Sequence, residues 1–551
     1  MPVVTIDGHP ISVEPDILII QAADRAGIEI PRFCYHPDLR PEGNCRMCLV
    51  RVKGFARLTP ACATPVADDM VVTTAHADDE VQRATRGVLE FLLINHPLDC
   101  PICDQAGECS LQDFYMHPDY GLHRSDVDPR EKVQKHKAID LGPVYLDSER
   151  CVMCSRCVRF SNEVTGAGEL QFVNRGNHVE LVAFQDRALR DPYAGNLADL
   201  CPVGALTSHD FRFKHRVWFL NHVPSVCAGC STGCNVRIDY TARRIERVVP
   251  RRNPFVNRSW MCDEGRFSYH TLSQLRRVTT PLTREAGDLR PVSWDHALAR
   301  ARAGFNLPRT GEAAVIGSPM ATNEALWALR EYARNMKDPV ALDFRSSSED
   351  PDVEARLDAL LLRADRVPNS RGALMLGMGA SDGLENIVVR AEQGTIDLAL
   401  ILHYPPLVPA GQLDLGRRVM ALARLVGKAR FSVVLTNADE EWWQAADVIL
   451  PVASWSEEEG TYTNFAGTTQ YVGRAQDPPG EARPAWRALL DLLGDMPTAR
   501  PYRSAEEVFD RGVAATAGFH GLQFTTLTSR EATVYPPEGR TPYGQEGFAG
   551  R

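Results

Sequence analysis

The sequence predicts a multidomain chain, α+β at its front and α/β at its back. Three features carry that expectation. All 15 cysteines lie between residues 34 and 262. The chain opens with a hairpin pattern followed by a helix pattern. From about residue 276, short apolar runs alternate with helical stretches.

Taken in order, Val3, Val4, Ile6, Ile11 and Val13 are β-rich around an Asp7-Gly8 turn. Asp16 is expected to cap a helix through Ile17, Ile20 and Ala23 that Gly27 stops. Hairpin, helix and then a cysteine loop is a β-grasp ferredoxin opening. A second helix is expected over about Asp79–Asn95, with Val81, Val88, Leu89, Leu92 and Leu93 on one face, ended by His96-Pro97. Residues 110–150 are polar and poorly periodic. Ala313–Gly317, Ala373–Leu376, Leu398–Leu402 and Ser432–Leu435 read as buried parallel strands. Asn323–Met336 and Leu415–Leu425 read as helices between them, which argues a doubly wound α/β domain. Residues after 500 are expected to form an extended tail. The implied domains are 1–78, 79–118, 119–219, 220–275, 276–500 and the tail 501–551.

Net charge is −10 and the pI about 5.9, which argues against nucleic acid as the main partner, since phosphate binding needs a basic surface. The first residues show no signal pattern, and no apolar run is long enough to span a membrane. No G-x-G-x-x-G on a strand–helix turn and no nucleophile constellation is evident. A relay is expected rather than a reaction site.

The cysteines fall into four groups. Cys34-x10-Cys45-x2-Cys48-x13-Cys62 suits a [2Fe–2S] cluster on a β-grasp loop, with a four-cysteine zinc site as the alternative. His96-x3-Cys100-x2-Cys103-x5-Cys109 has three cysteines where a cube needs four ligands. His96 completes it and brings the ligand count to four full sets. The plainer reading of His96 is a helix C-terminal cap. Cys151-x2-Cys154-x2-Cys157-x43-Cys201-Pro202 carries the bacterial ferredoxin spacing for [4Fe–4S]. Cys227-x2-Cys230-x3-Cys234-x27-Cys262 is a further cube-type loop with a distant closing thiol, again with zinc as the alternative.

The order of these four motifs resembles the large iron–sulfur subunits of bacterial NADH–quinone oxidoreductase, respiratory complex I, over nearly the whole chain. The resemblance implies one [2Fe–2S] and three [4Fe–4S] clusters on the residues named, the last present in only some bacterial members. It implies partners in the NADH/flavin-binding subunit and the quinone-side iron–sulfur subunits. It also implies a place on the cytoplasmic side of the cell membrane, in the peripheral arm. The back half resembles the molybdopterin oxidoreductase fold through Arg277-Val-Thr-Thr-Pro-Leu-Thr-Arg284, Gly317-Ser-Pro-Met-Ala-Thr-Asn323, Ala446-Asp-Val-Ile-Leu-Pro-Val-Ala-Ser-Trp455 and Glu459-Gly-Thr-Tyr-Thr-Asn464. Working members carry a lysine two residues past the last cluster cysteine, where Glu264 stands here. No later cysteine is present to ligate molybdenum. A degenerate domain without molybdopterin is expected. The competing readings are a molybdenum formate dehydrogenase with a ferredoxin-like front end, an iron hydrogenase, and the small diaphorase subunit of a NAD-linked hydrogenase.

Overall fold

The computed structural model describes residues 1–122, 133–184, 187–242, 244–308, 310–336, 339–408, 415–494 and 502–528. It divides into two compact units, Met1–Leu220 and Asn221–Arg551.

The first unit begins with β1 (Val3–Ile6) and β2 (His9–Ser12), antiparallel about the Asp7-Gly8 turn, where Gly8 takes a positive φ. Next come α1 (Ile19–Arg25), β3 (Leu49–Val52), β4 (Thr59–Pro60) and β5 (Met70–Thr73). The sheet order is β2-β1-β5-β3-β4, with β1 and β5 parallel. Val4, Ile6, Ile19, Ile20, Val50 and Val72 are fully buried in one core with Cys34, Cys48 and Cys62. This is the expected β-grasp arrangement. Asp16 does not cap α1: it sits at φ +66, and the helix starts three residues later. There Ile19 N donates to Thr64 O at 2.9 Å and Leu18 N to Gln21 Oε1 at 2.9 Å. A tertiary carbonyl and a helix side chain satisfy the helix start, so no Asp cap is used.

Helix α2 (Asp79–Asn95) has the expected bounds, is capped by Asp78, and buries Val81, Thr85, Leu89 and Leu93. Then follow α3 (Ser110–Tyr115), β6 (Ile139–Asp140), β7 (Val144–Leu146), α4 (Arg156–Arg159), β8 (Leu170–Val173), β9 (Glu180–Ala183), α5 (Asn196–Leu200) and β10 (Leu206–Ser208). Strands β10-β7-β6 make a small sheet and β8–β9 a hairpin. The polar stretch 110–150 is therefore partly structured, and residues 123–132 within it lie outside the described residues.

The second unit opens with an antiparallel sheet of β11 (Asn221–Val226), β12 (Asn235–Tyr240) and β13 (Ile245–Pro250), followed by α6 (Asp263–Gln274). Its main body comprises β14 (Leu282–Glu285), β15 (Asp288–Pro291), α7 (Trp294–Phe305), β16 (Glu312–Ile316), α8 (Asn323–Arg334), β17 (Val340–Asp343), α9 (Ser370–Met375), α10 (Leu384–Glu392), β18 (Ile396–His403), α11 (Leu415–Lys428), β19 (Phe431–Thr436) and β20 (Val448–Pro451). The sheet order is β15-β14-β20-β19-β18-β16-β17, parallel from β20 to β17 and edged by the antiparallel β14–β15 hairpin. This is the expected doubly wound layout. One strand expectation fails: Ala373–Leu376 lies in and just after helix α9, whose start is pinned by Asn369. The Asn369 amide donates to Ala321 O at 2.8 Å and accepts Thr463 N–H at 2.8 Å. A four-residue apolar run has too few positions to show either period.

The chain closes with the hairpin β21 (Gly460–Thr463) and β22 (Thr469–Val472), α12 (Ala485–Leu493), α13 (Ala505–Arg511) and α14 (Phe524–Thr528). The tail is not extended over 502–528, because Val508, Phe509, Phe519 and Phe524 are buried; residues 529–551 lie outside the described residues. Among the described residues, no helix is long and apolar enough to cross a membrane.

Candidate metal centres

The fifteen cysteines are all free thiols, and with His96 they converge in four groups. In the first, Cys45 and Cys48 sit on a loop that turns through Gly43 and Arg46, both at positive φ, and runs into β3. Cys62 lies in a short turn after β4, and Ala61 N–H donates to Cys48 O at 2.9 Å. Cys34 N–H points at Cys45 Sγ at 3.5 Å. Hydrogen bonds from Cys45 and Cys62 hold the Cys34 thiol far below its ordinary value, while the same bonds push Cys45 and Cys62 up. The titration belongs to the four thiols jointly. Four largely buried sulfurs sharing protons suit a cationic iron centre that takes thiolate.

The second group surrounds a cavity of about 290 Å3 lined by His96, Cys100, Cys103 and Cys109. His96 ends α2 with extended backbone, and its N–H returns to Leu93 O at 3.3 Å. Cys109 precedes the first turn of α3. Burial pushes the Cys109 thiol up to about 11. Gly204 walls the cavity: a Cβ there would collide with Cys103 Sγ. This cavity is many times the roughly 10–15 Å3 a single water needs, so it has room for a polynuclear group.

In the third group, Met153 and Ser155 both take positive φ, 52° and 63°, winding the chain so that Cys151, Cys154 and Cys157 face inward. Met153 N–H donates to Cys151 Sγ at 3.4 Å. Cys201 follows α5. Burial pushes Cys151 up to about 12 and Cys154 to about 11, and raises Cys157 and Cys201 as well. Buried thiols resist ionisation unless a cation compensates, and an iron centre would supply that compensation.

In the fourth group, Cys227 follows the end of β11 and Cys234 precedes β12, joined by Cys227 N–H to Cys234 O at 2.8 Å. Cys262 caps α6 and accepts Gly265 N–H at 3.4 Å; Cys227 Sγ accepts Gly229 N–H at 3.4 Å. A Cβ at Gly265 would stand 2.8 Å from Cys227 Sγ. Burial pushes Cys227 up to about 12, opposed by the positive charge of Arg366. That arginine pairs with Glu264, so the residue in the expected lysine position is tied within the protein.

Sequence reasoning missed the arginines that join the first three groups. Arg159 donates to Cys34 O, to Arg40 O and to Ser155 Oγ, the last at 3.1 Å. Arg156 donates to Tyr35 O at 2.6 Å and Leu200 O at 3.3 Å. Both bind loop one to loop three. Arg150 donates to Asp99 at 2.9 and 3.2 Å, and Ser110 N–H to Pro202 O at 3.0 Å, binding loop two to loop three. The only available signal was three arginines in or beside the Cys151–Cys157 motif.

Known families match in the same order along the chain. The 2Fe-2S iron-sulfur cluster binding domain matches residues 3–77, and the NADH-ubiquinone oxidoreductase-G iron-sulfur binding region matches 86–124. The ferredoxin-like domain of NADH-quinone oxidoreductase subunit 3 matches 142–207. The molybdopterin oxidoreductase Fe4S4 domain matches 220–274 and molybdopterin oxidoreductase 411–494. The NADH-quinone oxidoreductase G subunit of Streptomyces coelicolor is 41% identical over 64% of this chain, which spans 42% of that relative's length. The mitochondrial NADH-ubiquinone oxidoreductase 78 kDa subunit of Candida albicans is 32% identical over 91% of this chain and 83% of its own. A chain of the NAD+-reducing [NiFe]-hydrogenase in its H2-reduced state is 30% identical over 39% of this chain and 91% of its own, at a TM-score of 0.35. With cysteine loops in this order and a relative matched along most of both chains, this chain belongs to the family of the NADH-quinone oxidoreductase G subunit and the mitochondrial 78 kDa subunit.

Proposed function

We propose that the chain is an electron-relay subunit of a proton-translocating NADH–quinone oxidoreductase, carrying current from the NADH/flavin-binding subunit toward the quinone-side iron–sulfur subunits. The observation that carries this is the convergence of His96 and fifteen cysteines in four sets of four, three of them tied together by arginines and backbone bonds. In this reading Cys34, Cys45, Cys48 and Cys62 hold a [2Fe–2S] cluster. His96, Cys100, Cys103 and Cys109 hold a [4Fe–4S] cluster, Cys151, Cys154, Cys157 and Cys201 a second, and Cys227, Cys230, Cys234 and Cys262 a third. Such clusters, when bound, accept and release single electrons. The chain's own residues bind them as thiolates, keep water away and hold the loops in register. Loop three is bonded to both others, which supports placing it between them on the electron path. The domain boundaries near residues 78, 118, 219 and 275 follow the spacing of these sets. The complex would hold this chain in its peripheral arm, on the cytoplasmic side of the cell membrane, without a span of its own.

Metal analysis of the full chain, loaded anaerobically, tests the reading. About 14 iron atoms per chain and no molybdenum are expected. Far less iron with zinc in proportion would sink the four-cluster assignment, and stoichiometric molybdenum or tungsten would return the formate dehydrogenase reading.

A further inference from the structure

The first unit holds a ligand cluster apart from the cysteine groups. His76, on the turn between β5 and α2, meets His117 and Asp119, on the turn after α3. One ligand atom from each lies within 4.8 Å of the others. His76 Nδ1 pairs with Asp119 Oδ2, and the two imidazole centroids are 5.6 Å apart.

Both turns are held in place. His76 N–H donates to Thr74 Oγ1 at 3.3 Å, and Thr74 itself donates to the two carboxylate oxygens of Asp7 at 2.8 and 2.6 Å. The His117 ring stacks on Tyr120, with centroids 3.9 Å apart and planes 6° from parallel. Tyr120 is fully buried and donates its hydroxyl to Glu29 at 3.2 Å. At Gly121 the turn is so tight that a Cβ would collide with His117 O and stand 2.6 Å from Tyr115 O.

We propose that His76, His117 and Asp119 form a binding site for a divalent transition-metal ion of the zinc class, with its remaining coordination position open to solvent. Two imidazole nitrogens and one carboxylate oxygen are a zinc-class donor set, whereas calcium and magnesium take oxygen throughout. An ion pair with Asp119 needs one histidine; the second imidazole converging on the same point supplies a third ligand. His117 Nδ1 accepts Asp119 N–H at 3.2 Å, which holds the ring beside the carboxylate. His76 is exposed, which gives the ion a path in. An ion here joins the end of the β-grasp sheet to the turn after α3. Tyr120, Phe114 and Phe33 then run in ring contacts of 6.2 and 5.2 Å to the residue before Cys34. The site therefore staples the wall behind the first cysteine group, since binding only the folded form stabilises it.

The test uses the full chain with its iron loaded anaerobically, so that the cysteines are occupied. Chain and variants are dialysed against micromolar Zn2+ alone, and zinc and iron are counted. The unsubstituted chain is expected to retain one zinc more than H76A or H117A, at equal iron. Its zinc-edge absorption should show nitrogen and oxygen neighbours near about 2.0 Å. Because His76 is exposed, H76A keeps the fold, and H76A with H76Q decides the matter should H117A lose iron through its broken stack on Tyr120. Equal zinc in the unsubstituted chain and H76A overturns the site, and so does a zinc spectrum dominated by sulfur near about 2.3 Å. The iron count reports separately on the cysteine assignment.

Discussion

At the residue scale, His96 is the position where charge and ligand count meet. It lines the same cavity as Cys100, Cys103 and Cys109, and imidazole is neutral where thiolate carries a negative charge. His96→Cys is therefore expected to keep a four-iron centre and lower its midpoint potential, while His96→Ala leaves it labile or lost. Redox titration followed by EPR distinguishes these outcomes, and an unchanged spectrum and potential in both variants would make His96 only a helix cap. Gly204 makes an independent check on the same cavity. Because a Cβ at this position would collide with Cys103 Sγ, Gly204→Ala must displace that thiol, and iron content is expected to fall by about four atoms per chain. Full iron in Gly204→Ala would mean Cys103 is not a ligand.

At the scale of elements, α2 is the spar that carries His96. Its start is secured by Asp78, whose carboxylate accepts Glu80 N–H at 2.8 Å and Val81 N–H at 3.0 Å and pairs with Arg51 at 2.5 Å. The Arg51 bond first, then the two helix N–H groups, hold the Asp78 carboxyl below its usual range against the opposing effect of burial. A folded-state value below the unfolded one means the contribution is present at neutral pH and is lost as pH falls through the folded value. Asp78→Ala is expected to cost about 1 kcal/mol at neutral pH, seen as roughly fivefold faster amide exchange in the first turns of residues 79–95. The gap should narrow below about pH 4. A gap that does not change between neutral and acid pH would show that the ionised carboxylate is not what caps α2. The α4 segment is the second such element. Arg156 and Arg159 reach out of it to the carbonyls of Tyr35 and Cys34, so the short helix that closes the third motif also fixes the neighbouring loop.

At the scale of the molecule, three cysteine groups belong to the first unit and one to the second. The fourth opens a half whose cofactor-bridging position is taken by Glu264 paired to Arg366. A centre there is expected to hold the loop from Cys227 to Cys262, because metal–ligand bonds made only in the folded state stabilise that state. Cys230→Ala is expected to weaken assembly or thermal stability while assembled complex keeps near-normal NADH–quinone turnover. Cys154→Ala, in the loop bonded to both neighbours, should abolish turnover even in complex that assembles. Fully assembled Cys230→Ala complex that turns over as poorly as Cys154→Ala complex would put the fourth group on the electron path.

The cysteine spacings, the Asp7-Gly8 turn, the long amphipathic α2 and the strand–helix alternation after residue 276 are local patterns, so the sequence by itself determined the β-grasp front, the doubly wound back and the sixteen candidate ligands. Signals shorter than a helical turn did not suffice: Asp16 looked like a cap until Thr64 satisfied α1 from across the fold, and Ala373–Leu376 looked like a strand until Asn369 pinned the start of α9. The ties of Arg150, Arg156 and Arg159 between loops, and the meeting of His76 with His117 and Asp119, join residues some 40 to 125 positions apart. No local pattern encodes such pairings. They exist only once burial of the apolar cores has brought the loops together, so tertiary structure alone decided which loops are bonded to which.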